Sequence, residues 1–208
     1  MRRHRRAALL ALSLALAGAV LPGCVALIGA GGLAAYGALE DRRTTGTQIE
    51  DEGIEVRAAN RIDEALRERA HVNVTSFNRS VLLTGEAWDE ATRAEVEKIA
   101  ASVPNIRAIT NEVQVAGVSS VASRANDSSL TAKVRGRMLN AREFNPLHVK
   151  VVSEAGVVYL MGIVTEREAE AVTEVARTTA GVRKVVKVFE YCTTADERCR
   201  PPKPKPGA

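Results

Sequence analysis

The chain has 208 residues, of which 46% are hydrophobic, 26% are charged and only 3% are aromatic. This composition is typical of a globular protein with an aliphatic core, and it excludes collagen-like, largely disordered and polytopic membrane proteins. The formal charge of +4 comes from four arginines in the first 23 residues, since the rest of the chain has 25 basic and 25 acidic residues. Net charge therefore gives no reason to expect a nucleic-acid partner.

The N-terminus has the pattern of a secretory signal peptide. A basic segment at 2–6 precedes an apolar run from Ala7 to Leu21, and this order is typical of a signal that is removed from the mature protein. The run ends in Leu21-Pro22-Gly23-Cys24, which resembles the lipobox of bacterial lipoproteins. The resemblance implies cleavage before Cys24 and acylation of this residue, and Val25 in place of Asp implies sorting to the outer membrane. The alternative is a membrane-anchor helix with a chance cysteine.

Residues 24–53 are predicted to be a lipidated tether. The segment 25–39 is apolar and Gly-rich, and residues 40–53 are polar and acidic. The segment 29–34 matches the dinucleotide-binding fingerprint formally, but we reject this interpretation because no strand precedes it. Each buried methylene contributes about 0.8 kcal/mol, so that the acyl chains alone suffice to hold the protein on a membrane.

An internal repeat organises the rest of the chain. The pattern of residues 71–85 recurs at 148–162 with a shift of 77, whereas the apolar positions that follow recur with a shift of 76. One additional residue near Trp88 in the first copy explains the change. We therefore predict one module at 54–116, a flexible linker at 117–125, a second module at 126–191 and a C-terminal tail at 192–208.

Each copy predicts a helix followed by a β-hairpin. The helix has an apolar stripe at every fourth position, formed by Ala58, Ile62 and Leu66 in the first copy and by Leu130, Val134 and Met138 in the second. The two strands of the hairpin are joined by few residues and should pair antiparallel. We expect the second of them to end at Gly85 or Gly162.

A second helix and a last strand complete each copy. Asp89 occupies the N-cap position of this helix in the first copy, and Thr165 with Glu168 forms a capping box in the second. The last strand, 106–115 or 182–191, should lie parallel to its neighbour. The predicted fold class is α+β, with two tandem α-β-β-α-β sandwiches, each a three-stranded mixed sheet with two helices. Because a module of roughly 60–65 residues is marginally stable alone, we expect the copies to dock on each other or the linker to be short.

The second copy carries a resemblance to a known family. The segments 160–169 and 181–185 are similar to the BON domain, and the signal, the lipobox and the two copies together resemble the dual-BON outer-membrane lipoproteins of Gram-negative bacteria. The resemblance implies a lipid-anchored protein of the outer membrane that faces the periplasm and supports envelope integrity. It also implies binding of an anionic phospholipid, such as phosphatidylglycerol or cardiolipin.

The first helix of the second copy is the candidate lipid-binding element. The first copy has a net charge of −2 and the second of +2, and no acidic residue lies between Asp127 and Glu143. Helical spacing places Ser129, Lys133, Gly136 and Arg137 on an outward arc with Leu139 at its edge. The family resemblance implies lipid contacts at Ser129, Lys133, Arg135, Gly136 and Leu139. A solvated basic face is the alternative, and Ser129 stands where a bulky aromatic residue would favour insertion.

Catalysis has little support in the sequence. No hydrolase elbow, zinc-protease motif or phosphate loop is present, and we expect neither enzymatic activity nor a cofactor nor a bound metal. His71 and His148 occupy equivalent positions at the starts of two strands. A functional interpretation would make them a ligand pair or a pH switch, but we favour their interpretation as polar strand ends repeated by the duplication. Outer-membrane assembly proteins or peptidoglycan are alternative partners, which would make the chain a protein-interaction module.

Two further cysteines, Cys192 and Cys199, follow the last strand. In an oxidising periplasm, this pair is expected to form a disulfide that closes a small loop, with a free pair as the alternative. The Pro- and Lys-rich end of the chain is typical of a solvated tail.

Overall fold

The computed structural model describes residues 41–117, 119–193 and 195–200. The predicted signal peptide, Cys24, most of the predicted tether and the end of the predicted tail lie outside these residues. None of the helices in the described ranges has the length and hydropathy needed to cross a bilayer.

The first module is an α/β sandwich built on one sheet. Strand β2 is the centre of this sheet, with β1 antiparallel on one side and β3 and β4 parallel on the other. The elements are α1 (Thr45–Leu66), β1 (Ala70–Phe77), β2 (Ser80–Ala87), α2 (Glu90–Ala101), β3 (Ala108–Asn111) and β4 (Gln114–Val115).

The second module repeats this architecture. Strand β6 lies between an antiparallel β5 and a parallel β7. The elements are α3 (Val121–Leu139), β5 (Val149–Glu154), β6 (Val157–Val164), α4 (Glu166–Arg177) and β7 (Lys184–Tyr191). The α-β-β-α-β order predicted for both copies is therefore confirmed, and so is the α+β class.

Both first helices begin earlier than the sequence pattern indicates. The side chain of Thr44 caps α1, which starts inside the segment assigned to the tether, and Ser120 caps α3, which starts inside the segment assigned to the linker. The early turns are held because Asp51 and Asp127 are buried against the sheets. The polar composition of these turns hides this burial from a hydropathy pattern.

Each module has its own core between helices and sheet. The predicted stripes of both first helices are buried, and they pack with Val96 of α2 in one module and Val172 of α4 in the other. Asp89 caps α2 by accepting a hydrogen bond from the backbone N–H of Thr92, and Thr165 and Glu168 form the predicted capping box of α4. These sequence predictions are confirmed.

The additional residue of the first module lies where the repeat predicts it. Strands β2 and β6 have eight residues each, and helices α2 and α4 have twelve each. Two residues, Trp88 and Asp89, join strand to helix in the first module, whereas Thr165 alone does so in the second. The shift between copies therefore changes from 77 to 76 at this turn.

Two expectations about strand ends are wrong. Gly85 lies inside β2 and Gly162 lies inside β6. The neighbouring backbone is so close to each glycine that a Cβ would overlap the carbonyl oxygen of His71 or of His148, respectively. The last strand of the first module is interrupted at residues 112–113, opposite the point where Gly85 adopts a φ of +114°. The corresponding strand β7 is continuous.

The modules dock through the helix-free faces of their sheets. A third core cluster contains Phe77 and Leu82 of the first module together with Tyr159, Met161 and Ile163 of the second. Polar contacts surround this core, including Lys150 Nζ to Glu55 Oε1 at 2.7 Å and Asn73 Nδ2 to Glu154 Oε2 at 3.0 Å. The expected docking is confirmed, and the result is a stack of helices, sheet, sheet and helices.

Two consecutive arginines join the modules at one end of the contact between the two sheets, which we call the seam. Arg42 donates hydrogen bonds to the carbonyl oxygen of Ile163, at 2.8 Å, and to both carboxylate oxygens of Glu168. Arg43 pairs with Asp51 at 2.8 Å and lies 4.0 Å over the ring of Phe77. Burial acts to raise the pKa of Glu168, but the hydrogen bonds from Arg42 and Thr165 outweigh it and lower the pKa to about 2.

The two cysteines after β7 form a disulfide in the structure. Both are buried in the cluster between the sheets, and Arg198 in their loop lies 2.9 Å from Glu190. Glu190 in turn pairs with Arg107 of the first module. The closed loop thus belongs to the contact between the modules.

Candidate functional site

Helix α3 presents one polar face to solvent. Its opposite face buries Asp127, Leu130, Val134 and Met138. Ser129, Lys133 and Gly136 are exposed, a Cβ added at Gly136 would meet no neighbouring atom, and Leu139 is 72% exposed. Ser129, Lys133 and Gly136 of the outward arc predicted from helical spacing, with Leu139 at its edge, are therefore exposed to solvent.

A buried carboxylate fixes the first helix of each module to the hairpin beneath it. Asp127 accepts hydrogen bonds from the backbone N–H groups of Ala155 and Gly156, both at 2.9 Å. Both turn residues have positive φ, as a two-residue hairpin of this type requires. A residue with a side chain adopts this conformation at a cost, which the two hydrogen bonds offset.

Asp51 does the same in the first module, where it accepts from the N–H groups of Asn78 and Arg79 at 2.8 and 2.7 Å. Sequence reasoning missed this pair. The available signal was an aspartate at the same place in both copies, three residues before Ile54 in the first and three residues before Leu130 in the second.

The predicted cations of α3 point in different directions. Arg137 leans over the core edge and donates to the end of α4, with bonds of 3.0 Å to the carbonyl of Val175 and 2.8 Å to Thr179 Oγ1. Arg135 reaches the other way and donates to the carbonyl of Val151 at 3.2 Å. Lys133 differs from these two arginines, because it has no hydrogen-bond or ion-pair partner within the described ranges.

Arg61 of the first module has the same role as Arg137. It occupies the equivalent position and donates to the carbonyl and hydroxyl of Ser102, at 2.8 and 3.0 Å, at the end of α2. Because both copies repeat the contact, the fold itself accounts for Arg137.

An open cavity of about 460 Å³ lies beside Lys133. It lies between the first turns of α3, the turn of the β5–β6 hairpin and the residues before β7. Ser129 and Lys133 line one side, Ala155 and Gly156 the floor, and Gly181 and Arg183 the other side. The structure thus joins two predicted residues, Ser129 and Lys133, to Arg183, which reasoning confined to α3 could not find.

The equivalent histidines have separate partners. The ring Nε2 of His71 lies 2.8 Å from Arg124 Nη1, at the start of α3. His148 Nδ1 lies 3.6 Å from Glu168 Oε1. The structure does not bring the two rings into one site, which agrees with their interpretation as repeated strand ends.

Comparison with family models places these modules. The BON domain model matches residues 50–117 and 126–193. The chain belongs to the BON-domain family. Both BON matches include the turn of the first helix that carries the buried aspartate, and in the structure this turn is likewise part of each module.

Two relatives of this BON-domain chain cover most of its length. It is 37% identical over 173 residues to a Haemophilus influenzae protein named outer membrane lipoprotein DolP, covering 82% of this chain and 90% of the relative. It is 35% identical over 153 residues to the 21 kDa hemolysin of Actinobacillus pleuropneumoniae, covering 73% of this chain and 79% of that protein.

A distant likeness to a solved structure was also found. The C-terminal domain of CdsD, a structural protein of the type III secretion system of Chlamydia trachomatis, aligns with a TM-score of 0.29 and 10% identity. The alignment covers 64% of this chain and 96% of that domain. A likeness of this size supports no argument about the present BON modules.

Proposed function

We propose that this protein is a lipid-anchored lipoprotein of the outer membrane that binds anionic phospholipid through α3 of its second BON domain. It faces the periplasm, supports envelope integrity and acts without catalysis. The observation that carries the proposal is Lys133, an exposed ammonium with no carboxylate partner in the described ranges, on a helix face with no acidic side chain between Asp127 and Glu143.

The membrane attachment rests on sequence and relatives. Cys24 follows a signal pattern and a lipobox, and a relative that covers 82% of the chain is named an outer membrane lipoprotein. Acyl chains of ordinary length hold a protein on a bilayer stably when two or more are present. Residence on the membrane is then set at Cys24, which leaves α3 to select the lipid.

The contact at α3 is mainly electrostatic. A basic residue near an anionic leaflet contributes about 1 kcal/mol. Lys133 contributes fully, whereas Arg135 and Arg137 contribute charge from flanks that are already hydrogen-bonded to the protein. Leu139 offers a shallow apolar contact, but Ser129 and Gly136 add little apolar area. We therefore expect weak binding that decreases steeply with salt.

A pair of equivalent charge reversals tests the proposal. The described residues from Asp41 onward form one compact unit, so the fragment 41–208 can be mixed with vesicles of phosphatidylglycerol or phosphatidylcholine. Lys133→Glu should reduce co-sedimentation with phosphatidylglycerol at low salt at least fivefold. Arg57→Glu, at the equivalent position of the first domain, should leave it within twofold. Equal binding by both variants and the parent would refute the proposal.

An interaction with a protein partner is the second candidate. Trp88 lies in the one-residue insertion of the first domain, and it is 59% exposed. Exposed tryptophans are enriched at protein interfaces. If envelope assembly machinery or peptidoglycan is the partner, Trp88→Ser should abolish its capture while Lys133→Glu preserves it. Capture that survives Trp88→Ser would contradict this role of the first domain.

A further inference from the structure

The cavity beside Lys133 has an equivalent place in the first domain. Asp51 and Asp127 hold equivalent hairpin turns, so the first helices correspond with a shift of 76. This shift relates Lys133 to Arg57, Asn126 to Glu50 and, after the insertion at Trp88, Gly181 to Asn105. In the second domain, these three positions line the cavity together with the hairpin turn that Asp127 holds. The first domain therefore shows the same place with a carboxylate of the chain itself in it.

The first domain fills the place with its own side chains. Glu50 Oε1 accepts a hydrogen bond from Arg57 Nη2 at 2.7 Å and another from Asn105 Nδ2 at 3.1 Å. The carboxylate of Glu50 thus pairs with Arg57 of the helix and links it to Asn105 in the loop before β3. Arg107, which corresponds to Arg183, pairs with Glu190 across the domain contact.

The second domain has lost the carboxylate and kept the cations. Asn126 replaces the glutamate, and Gly181, at a φ of +99°, replaces the asparagine. The opening between helix and loop is the 460 Å³ cavity. Lys133 and Arg183 lie on opposite sides of it, where the first domain holds a carboxylate between arginine and amide.

The remaining carboxylate of the cavity, Asp127, forms no ion pair with Lys133 or Arg183. Both oxygens of Asp127 accept backbone N–H groups of the hairpin turn, and its side chain is buried. Arg183 lies across the same turn and donates to the carbonyl of Ala155, which leaves further guanidinium N–H groups available. A lysine and an arginine around a small polar cavity form a typical phosphate site.

We propose that this cavity binds a single phosphate group, as a phosphodiester or a phosphate monoester. Lys133 and Arg183 supply the charge, and Ser129 and Asn126 supply hydrogen bonds, so that the ligand takes the place of the glutamate carboxylate of the first domain. The inference rests on the proposed lipid function and deepens it, because it assigns the phosphate of the headgroup to a built site that includes a residue outside α3.

Two neighbouring cations provide the decisive test. Arg183→Gln removes a cation that lines the cavity, and Lys184→Gln removes the same charge from the next residue, which is exposed and does not line it. A phosphate site predicts at least a tenfold loss of binding to phosphatidylglycerol vesicles for Arg183→Gln and less than a twofold loss for Lys184→Gln. Equal losses would overturn the site and leave the proposed lipid binding intact.

Asn126→Glu is the second variant, because it restores the carboxylate of the first domain without touching Arg183 or its bond to the hairpin. It should reduce binding as much as Arg183→Gln while keeping the melting temperature of the parent. Wild-type binding by a folded Asn126→Glu protein would also overturn the site. Failure of Lys133→Glu to weaken vesicle binding would instead refute the proposed function.

A second titration identifies the source of the phosphate. Inorganic phosphate and soluble glycerol 3-phosphate are added to residues 41–208, and amide NMR shifts are followed at Ser129, Gly156 and Gly181. Shifts that Arg183→Gln abolishes and Lys184→Gln retains show that the site takes free phosphate. A difference between these variants on vesicles alone shows that it takes the headgroup of a lipid. No difference in either titration contradicts the site.

Discussion

The two BON domains share the hydrogen bonds that hold their helices and hairpins together, and they differ in the side chains at the surface. Asp51 and Asp127 hold the hairpins, and Arg61 and Arg137 hold the ends of the second helices, in the same way in both copies. The ion pair between Glu50 and Arg57 has no counterpart beside Lys133. A contact that both copies repeat is explained by folding, whereas a contact that only one copy has lost points to a different use of that place.

The largest effect is expected at the glycines inside the central strands. Gly85→Ala should destabilise the protein by about 3–5 kcal/mol, since the new Cβ overlaps the backbone of His71 and the residue has a positive φ. Gly162→Ala suffers the overlap alone and should cost less. Urea denaturation of both variants measures the difference. A larger loss of stability for Gly162→Ala than for Gly85→Ala would contradict this explanation.

The next effect concerns the buried aspartates. Asp127→Ala leaves two backbone N–H groups without their acceptor and should cost about 2–3 kcal/mol. Asp51→Ala should cost more, because Asp51 also accepts a hydrogen bond from Ser76 Oγ at 2.6 Å and pairs with Arg43. Thermal unfolding gives both values, with exposed Asn126→Ala as the control. A loss below about 0.5 kcal/mol for Asp127→Ala would show that the turn does not need the carboxylate.

A smaller and nearly equal effect is expected at the repeated arginines. Arg137→Ala and Arg61→Ala each remove hydrogen bonds to the end of the following helix and should cost about 1–2 kcal/mol. In the vesicle assay, Arg137→Gln should reduce binding less than Lys133→Gln. If Arg137→Gln has the stronger effect on lipid and none on stability, the repeated contact is not its main role.

The last expected effect is a dependence on pH. Because the folded pKa of Glu168 is about 2 rather than its ordinary 4.5, its interactions stabilise the protein above pH 4.5 and are lost as the pH falls from about 4.5 to 2. Arg42→Ala should lower the melting temperature at neutral pH and flatten its decrease over this acidic range. His71→Ala, which leaves Glu168 unchanged, should keep the slope of the parent. A parental slope in Arg42→Ala would contradict the assignment.

Hydrophobic periodicity and the internal repeat predicted the order of helices and strands correctly. The stripes at every fourth residue and the change of shift near Trp88 are local patterns, and they indicate the order of elements and the position of the insertion. The starts of α1 and α3 were missed because the first turns are polar, and their burial depends on hydrogen bonds from the hairpin turns to Asp51 and Asp127.

The site was predicted less completely. Helical spacing placed Ser129, Lys133 and Gly136 on the exposed arc, as the structure does, but it could not show that the side chain of Arg137 bends back to α4. Arg183 lies more than forty residues from α3 in sequence and adjoins it only after the sheet has formed. Non-local proximity of this kind has no signature in a single sequence.

The two arginines at the seam also decide how force would enter the molecule. With Cys24 acylated as proposed, the 17 residues from 24 to 40 could span at most about 60 Å, and Arg42 and Arg43 bind both domains directly after them. Traction from the bilayer would reach both sheets together rather than peel one from the other. The pair of domains would then move on its tether as a single rigid body.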